Sequence, residues 1–179
     1  SGLLYRRLAF ILINNNTNFD KINEIKKKIN EIKFFSLRKN KKIRTQEISK
    51  LASKIAVYSF VRKYINDLQY RFVENNKNNR GFVIDGRDIG SVVFKNANLK
   101  LYIDVNPEIR AKRRYKQLID SGEKSIYPQI LKEIKLRDKK DKLRKNSPLV
   151  IPKKAYIIDN NGKFNETIKQ INNLLVKLI

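Results

Sequence analysis

The sequence predicts a parallel α/β sheet covered on both faces, with a mainly helical flap inserted between Phe19 and Phe72. Three observations carry this expectation. Phe82-Val83-Ile84, Leu99 to Val105 and Ala155 to Asp159 are short apolar runs of the kind that buried parallel strands show. Helical periodicity separates the strand candidates, and strands alternating with helices imply crossover connections that lay helices over a sheet. Between Phe19 and Phe72 apolar residues recur at helical steps with little strand character, so that section reads as an insertion.

The elements follow in order. Leu3 to Ile13 reads as a short helix, or the second half of one, carrying Arg6 and Arg7. Phe19, Ile22, Ile25, Ile29 and Ile32 mark an amphipathic helix with Lys and Glu on its other face. Phe34 to Leu37 reads as a short strand, and Arg38 to Lys42 as a solvated basic turn. A helix opens around Ile43 to Ile48, with Thr45 as N-cap and Glu47 in the first turn. Ile48, Leu51, Ala52, Ile55 and Ala56 form its apolar face, with Ser53 at the edge, where a Ser ordinarily bonds to the preceding turn or to water. Val61, Ile65, Leu68 and Phe72 mark a further helix with Arg62 near its start, and an Asn-rich linker from Glu74 to Arg80 follows.

After the linker come the strand at Phe82, the strand Leu99 to Val105 and a helix begun by Pro107, on which Arg110, Arg113 and Arg114 lie within about a turn. Ser121-Gly122 stops that helix. The next runs from Pro128 to about Arg144, anchored by Ile130, Leu131 and Ile134, and its second half is almost wholly charged. Arg137, Asp141 and Arg144, spaced i, i+4, i+7, share one face there. A salt-bridged, solvated surface is the plain alternative for such a run. Ala155 to Asp159 is the last strand, and Phe164 to Ile179 closes the chain as an amphipathic helix.

The chemistry concentrates where the run at Phe82 ends abruptly in Asp85-Gly86-Arg87-Asp88. In open α/β sheets ligands bind beyond the carboxyl ends of strands, where this cluster falls. An Arg there can grip a phosphate through paired hydrogen bonds, and an Asp can accept from an amino group. A surface turn using Asp and Gly for geometry alone is the competing reading.

Charge and composition bound the partners. With 41 Lys and Arg against 17 Asp and Glu, the formal charge is +24, which favours a polyanionic or phosphorylated partner. The same chain is crowded with Lys, Asn and Ile, a bias that an AT-rich genome also produces, so bulk charge says little about function. No Cys and no His are present, which excludes disulfides and thiolate or imidazole metal sites. No apolar run reaches the roughly 18 residues of a membrane span, so a cytoplasmic protein without membrane contact is expected. The chain has no Met and starts at Ser1-Gly2-Leu3 inside an apolar pattern, so its true beginning is expected to lie upstream.

Several blocks together resemble bacterial cytidylate kinases, which are P-loop nucleoside monophosphate (NMP) kinases. Ser1 to Arg6 (SGLLYR) resembles SGxxYR, and Ile43 to Ser53 (IRTQEISKLAS) resembles IRTxEvxxxAS, with Val61-Arg62 at the expected distance beyond. Gly86 to Phe94 (GRDIGSVVF) resembles GRDxGTVVF. Arg113 to Leu118 (RRYKQL) and Glu133 to Arg144 (EIKLRDKKDKLR) resemble RRxxQL and EIxxRDxxDxxR, and Pro148-Leu149 also falls in place. Any one block is weak; their order along nearly the whole chain is specific.

The resemblance implies a three-layer α/β/α core with an NMP-binding flap and a short lid. Residues 1–13 would be a core helix, 14–72 the flap and its connecting helices, and 73–179 core with the lid around 115–145. It implies transfer of the γ-phosphate of ATP, bound with Mg²⁺, to CMP or dCMP by a monomer. Arg6, Arg87 and Arg144 would hold the CMP phosphate, with Arg87 and Arg144 closest to the chemistry. Ser53, Arg62 and Asp88 would surround the cytosine edge, and Arg137 and Asp141 would meet the ribose hydroxyls. Of Arg110, Arg113 and Arg114, at least one would touch the triphosphate. Phosphoryl transfer needs positioning and neutralisation of spread negative charge, which a chain without Cys or His can supply.

Two departures stand out. No Gly-x-x-x-x-Gly-Lys loop occurs anywhere, so the family's first strand and phosphate-binding loop are absent from these residues, and the 179 residues alone are expected not to transfer phosphate. Phe35 to Lys42 is also too short for the small antiparallel sheet that the family's flap usually carries, so a reduced flap is expected. Two rival expectations are a basic nucleic-acid-binding protein and a remnant that binds CMP without catalysis. The first lacks any aromatic-rich strand motif, helix-turn-helix or zinc pattern.

Overall fold

The computed structural model describes residues 1–32, 41–76, 78 and 81–178. It divides into two compact units, Ser1–Ile89 and Gly90–Ile179. The strand expected at Phe34 to Leu37, most of the basic turn after it, and with them the size of the flap lie outside the described residues.

The first unit is helical. Its helices are α1 (Gly2–Asn14), α2 (Ile22–Asn30), α3 (Gln46–Ile55) and α4 (Ser59–Glu74), with a 3₁₀ turn at Lys41–Arg44 leading into α3. Most of the expected apolar positions are buried, namely Ile25 and Ile29 on α2, Ile48, Ala52 and Ile55 on α3, and Val61 and Ile65 on α4, whereas Ile22 and Phe72 at the helix ends stand about half exposed. They close around Leu8, Ala9 and Leu12 of α1, which packs against α2 and α3 while α2 meets α4. Burying a side chain such as Ile65 from water contributes roughly 1.5–3 kcal/mol, so this cluster supplies the unit's driving force. Thr45 caps α3 as expected, its Oγ1 accepting from the backbone N–H of Ile48 at 3.3 Å.

The second unit contains the sheet. Strands β1 (Leu101–Asp104) and β2 (Tyr156–Asp159) pair in parallel, with Leu101 opposite Tyr156 and Asp104 opposite Asp159. Between them lie α5 (Pro107–Asp120) and α6 (Tyr127–Leu143), and α7 (Phe164–Leu178) follows β2. Pro107 starts α5, where its missing N–H costs nothing. Ala111, Leu118 and Ile130 form a small core between α5 and α6. The hydroxyl of Thr167 and the amide of Gln170 donate to the carbonyl of Asp159, fastening α7 to the end of β2, whose Ile158 is buried.

One expectation needs correction. Phe82-Val83-Ile84 is not a strand: no chain pairs with it among the described residues, and Val83 is fully solvent-exposed. Phe82 instead packs edge-on against Phe72 of α4, ring centroids 5.8 Å apart. A strand exists only where a neighbour takes up its backbone hydrogen bonds, which an apolar run cannot supply by itself. Along the sheet, Ile158 is buried while Ile103 and Ile157 stand about half exposed. The helix expected to reach about Arg144 ends at Leu143, with Arg144 as its extended cap (φ −64°, ψ 138°), in agreement with the expectation.

Candidate functional site

Arg6, Ser53, Arg62, Arg87 and Asp88 lie in the first unit and Arg110, Arg113, Arg114, Arg137, Asp141 and Arg144 in the second; direct contacts join Arg62 to Asp88, and Asp141 to Arg137 and Arg144. In the first unit the chain bends at Asp85 to Asp88 and enters a five-residue π-helical turn, Ile89–Val93. Gly86 sits close against two side chains: a Cβ there would crowd the hydroxyl of Ser1 and lie 2.7 Å from Ile89 Cγ1, so both side chains would have to shift. This bend turns Asp88 inward and leaves its neighbour Arg87 exposed.

Asp88 meets Arg62, from the first turn of α4. Arg62 Nη1 donates to Asp88 Oδ2 at 3.0 Å, and both side chains are only 9% exposed. A buried charge is tolerable only when paired, and each of these residues supplies the other's partner. The Arg62 guanidinium also lies 6.0 Å from the Tyr5 ring centroid, at the edge of cation–π range. Its Nε–H is buried with no hydrogen-bond partner among the described residues, leaving one donor in hand. Arg6 follows Tyr5 on α1 and is half-buried. Ser53 is exposed on α3 and donates to the carbonyl of Ser49 at 3.0 Å, the ordinary habit of a mid-helix Ser.

In the second unit the i, i+4, i+7 face forms as the spacing predicts, although Arg144 reaches it from beyond the helix end. Asp141 stands 3.9 Å from Arg137 Nε and 3.3 Å from Arg144 Nη1. Arg144 Nε also donates to the carbonyl of Ser147, which sits at φ +53° and turns the chain back. The backbone N–H of Leu149 closes the turn on the Asp141 carbonyl at 2.7 Å. Arg137 is largely exposed, while Asp141 and Arg144 are mostly covered. The arrangement gives two guanidinium groups around one carboxylate, suited to a polar, anionic ligand.

The three arginines of α5 differ. Arg110 forms a fork-to-fork pair with Asp138 of α6, with Nη1 to Oδ1 at 2.9 Å, and its Nε donates to the Val105 carbonyl at 3.1 Å. Arg113 reaches Asn160 Oδ1 at 3.3 Å and the Gly162 carbonyl at 3.0 Å. Arg114 bonds only locally among these contacts, to Gln117 at 2.9 Å, and is exposed. Among the described residues no three carboxylates gather as a metal site, and no helix is long and apolar enough to cross a membrane.

Sequence reasoning did not single out Tyr5 and Asp138. Tyr5 sits inside the SGLLYR block, so its place beside Arg6 was the available signal. Asp138 lies in a charge run, where nothing in the spacing separates a partner of Arg110 from a solvated carboxylate.

The whole chain, residues 1–179, matches the family model described as cytidylate kinase. The cytidylate kinase of Rickettsia felis is 38% identical over 179 aligned residues, covering 98% of this chain and 78% of the relative. That of Fusobacterium nucleatum is 37% identical over 188, covering 100% of this chain and 83% of the relative. That of Rickettsia akari is 38% identical over 176, covering 98% and 78%. The resemblance carried by the sequence blocks therefore holds from end to end, and the chain belongs to the cytidylate kinase family.

Proposed function

We propose that this chain acts in transfer of the γ-phosphate of ATP to CMP or dCMP, as a cytoplasmic monomer. The observation that carries this reading is the family match over residues 1–179. In the reaction an oxygen of the CMP phosphate attacks the γ-phosphorus, the bond from that phosphorus to the β,γ-bridging oxygen breaks, and ADP and CDP result. Mg²⁺ arrives with ATP as part of the substrate. Arg6, Arg87 and Arg144 would hold the acceptor phosphate and offset its charge as the oxygen closes on phosphorus. Asp88, paired with Arg62, would accept from the exocyclic amine that cytosine has and uracil lacks, and the spare Nε–H of Arg62 suits the base's acceptors. Ser53 would add a hydroxyl to that edge. Arg137 and Asp141 would bond the ribose hydroxyls, and at least one of Arg110, Arg113 and Arg114 would contact the triphosphate.

Residues 14–72 would serve as the NMP-binding flap with its connecting helices, 1–13 and 73–179 as core, and about 115–145 as lid. Since the 179 residues hold no Gly-x-x-x-x-Gly-Lys loop, this stretch alone should bind CMP without transferring phosphate. Calorimetric titration of the 179-residue protein with CMP tests the reading. Wild type should bind, Arg87→Ala and Asp141→Ala should not, and a coupled assay should detect no CDP. CMP binding that survives both substitutions would overturn the site, and CDP formation would overturn the claim about this stretch.

A further inference from the structure

The C-terminal half of α6 carries the Arg137, Asp141 and Arg144 group, yet little apolar packing holds it. Its apolar anchor, Ile130, lies near the start of the helix, with Leu131 and Ile134 packed beside it. Beyond Ile134 both leucines point away, Leu136 being 49% and Leu143 72% exposed. What fixes the helix there is polar. Asp138, on the same turn as Arg137 and Asp141, takes the paired contact from Arg110. Arg110 is itself tied back through Nε to the carbonyl of Val105, directly after β1. Three of its N–H groups are committed in this way. A second contact, Lys135 to Glu108 at 2.7 Å, bridges the same helices, but both side chains are about half exposed and such pairs contribute little.

A planar guanidinium gripping both carboxylate oxygens fixes direction as well as distance, which a point charge does not. Each residue advances a helix by about 100°, so fixing Asp138 also fixes the directions of Arg137 and Asp141. We propose that Arg110 is a positioning residue, whose clamp on Asp138 sets the rotation of α6 and so aims Arg137 and Asp141 at the nucleotide's sugar. It is then not the arginine that takes the triphosphate; that contact falls to Arg113 or Arg114. The inference rests on the CMP-binding role proposed for this face of α6.

The test is CMP titration of the 179-residue protein across two backgrounds. Arg110→Ala should weaken CMP binding on the order of tenfold. Added to Arg137→Ala it should cost clearly less than it does alone, because only Asp141 is then left for it to aim. Added to Ser53→Ala, in the other unit, it should cost its full factor. The exchange Arg110→Asp with Asp138→Arg should recover most of the affinity, and Arg110→Lys, which loses the fork, should not. A substitution that merely loosened the fold would weaken binding equally in both backgrounds and gain nothing from the exchange, and that result would overturn the proposal. Unchanged CMP affinity in Arg110→Ala would also overturn it while leaving the functional reading intact. Failure of the wild-type chain to bind CMP would remove both.

Discussion

The Arg62 and Asp88 pair combines two energetic facts that pull in different directions. Desolvating two charges is costly, and their attraction offsets that cost only while both are present. Arg62→Ala should therefore destabilise the first unit by about 3–5 kcal/mol, because a carboxylate stays buried without its cation. Arg62→Met combined with Asp88→Leu should recover most of that loss, since apolar groups of similar size need no solvation. Urea unfolding of the three proteins reads this directly, and a double variant as weak as the single one would show that the pair does more than cancel its own burial. Under the proposed function neither variant should bind CMP, so stability would return without the ligand.

Among the elements, the α5–α6 hairpin offers a pH handle. The hydrogen bond from Lys135 holds the exposed Glu108 carboxyl below its usual range, with further help from backbone bonding. A carboxylate with a lowered folded pKa contributes stability above its unfolded value, about 4.3, and that contribution disappears as pH falls through the folded value. Glu108→Gln should therefore melt slightly lower than wild type at pH 7, and the two should converge in strong acid. A gap of constant size down to the most acidic measurable pH would mean that the ion pair is not its source. The same hairpin shows what was legible in the sequence. Pro107, the stop at Ser121-Gly122 and the spacing of Ile130, Leu131 and Ile134 encode their helices locally, and each helix forms as expected. The parallel pairing of Leu101–Asp104 with Tyr156–Asp159 was also foreseeable, because an apolar run on each side of a helical stretch leaves few alternatives. Phe82-Val83-Ile84 misled because strand identity depends on a partner elsewhere in space. The bond from Arg110 to Asp138 was illegible for a related reason: its residues lie 28 apart in a sequence full of both charges.

For the whole molecule the open question is what the charge of +24 does. A net charge of this size raises association rates with any anion and keeps the chain soluble, without specifying a ligand. The basic side chains are also distributed, on α2 (Lys26, Lys27, Lys28), α5 (Lys112, Arg113, Arg114, Lys116) and α6 (Lys139, Lys140, Lys142), and not gathered in one stretch. The buried or mostly covered groups, Arg62 with Asp88 and Arg144 with Asp141, are where a small anionic ligand could be read with direction. If a mononucleotide is the ligand, the slope of log K against log salt should be shallow, on the order of −1 to −2, because few phosphate charges are neutralised. Single-stranded RNA of mixed sequence should bind with a steeper slope and should lose its affinity near physiological salt, where the CMP affinity persists. Titrations with each ligand across several salt concentrations separate the two. An RNA affinity that outlasts the CMP affinity as salt rises would make nucleic acid the biological partner, and would reduce the paired arginines to supports for a basic surface.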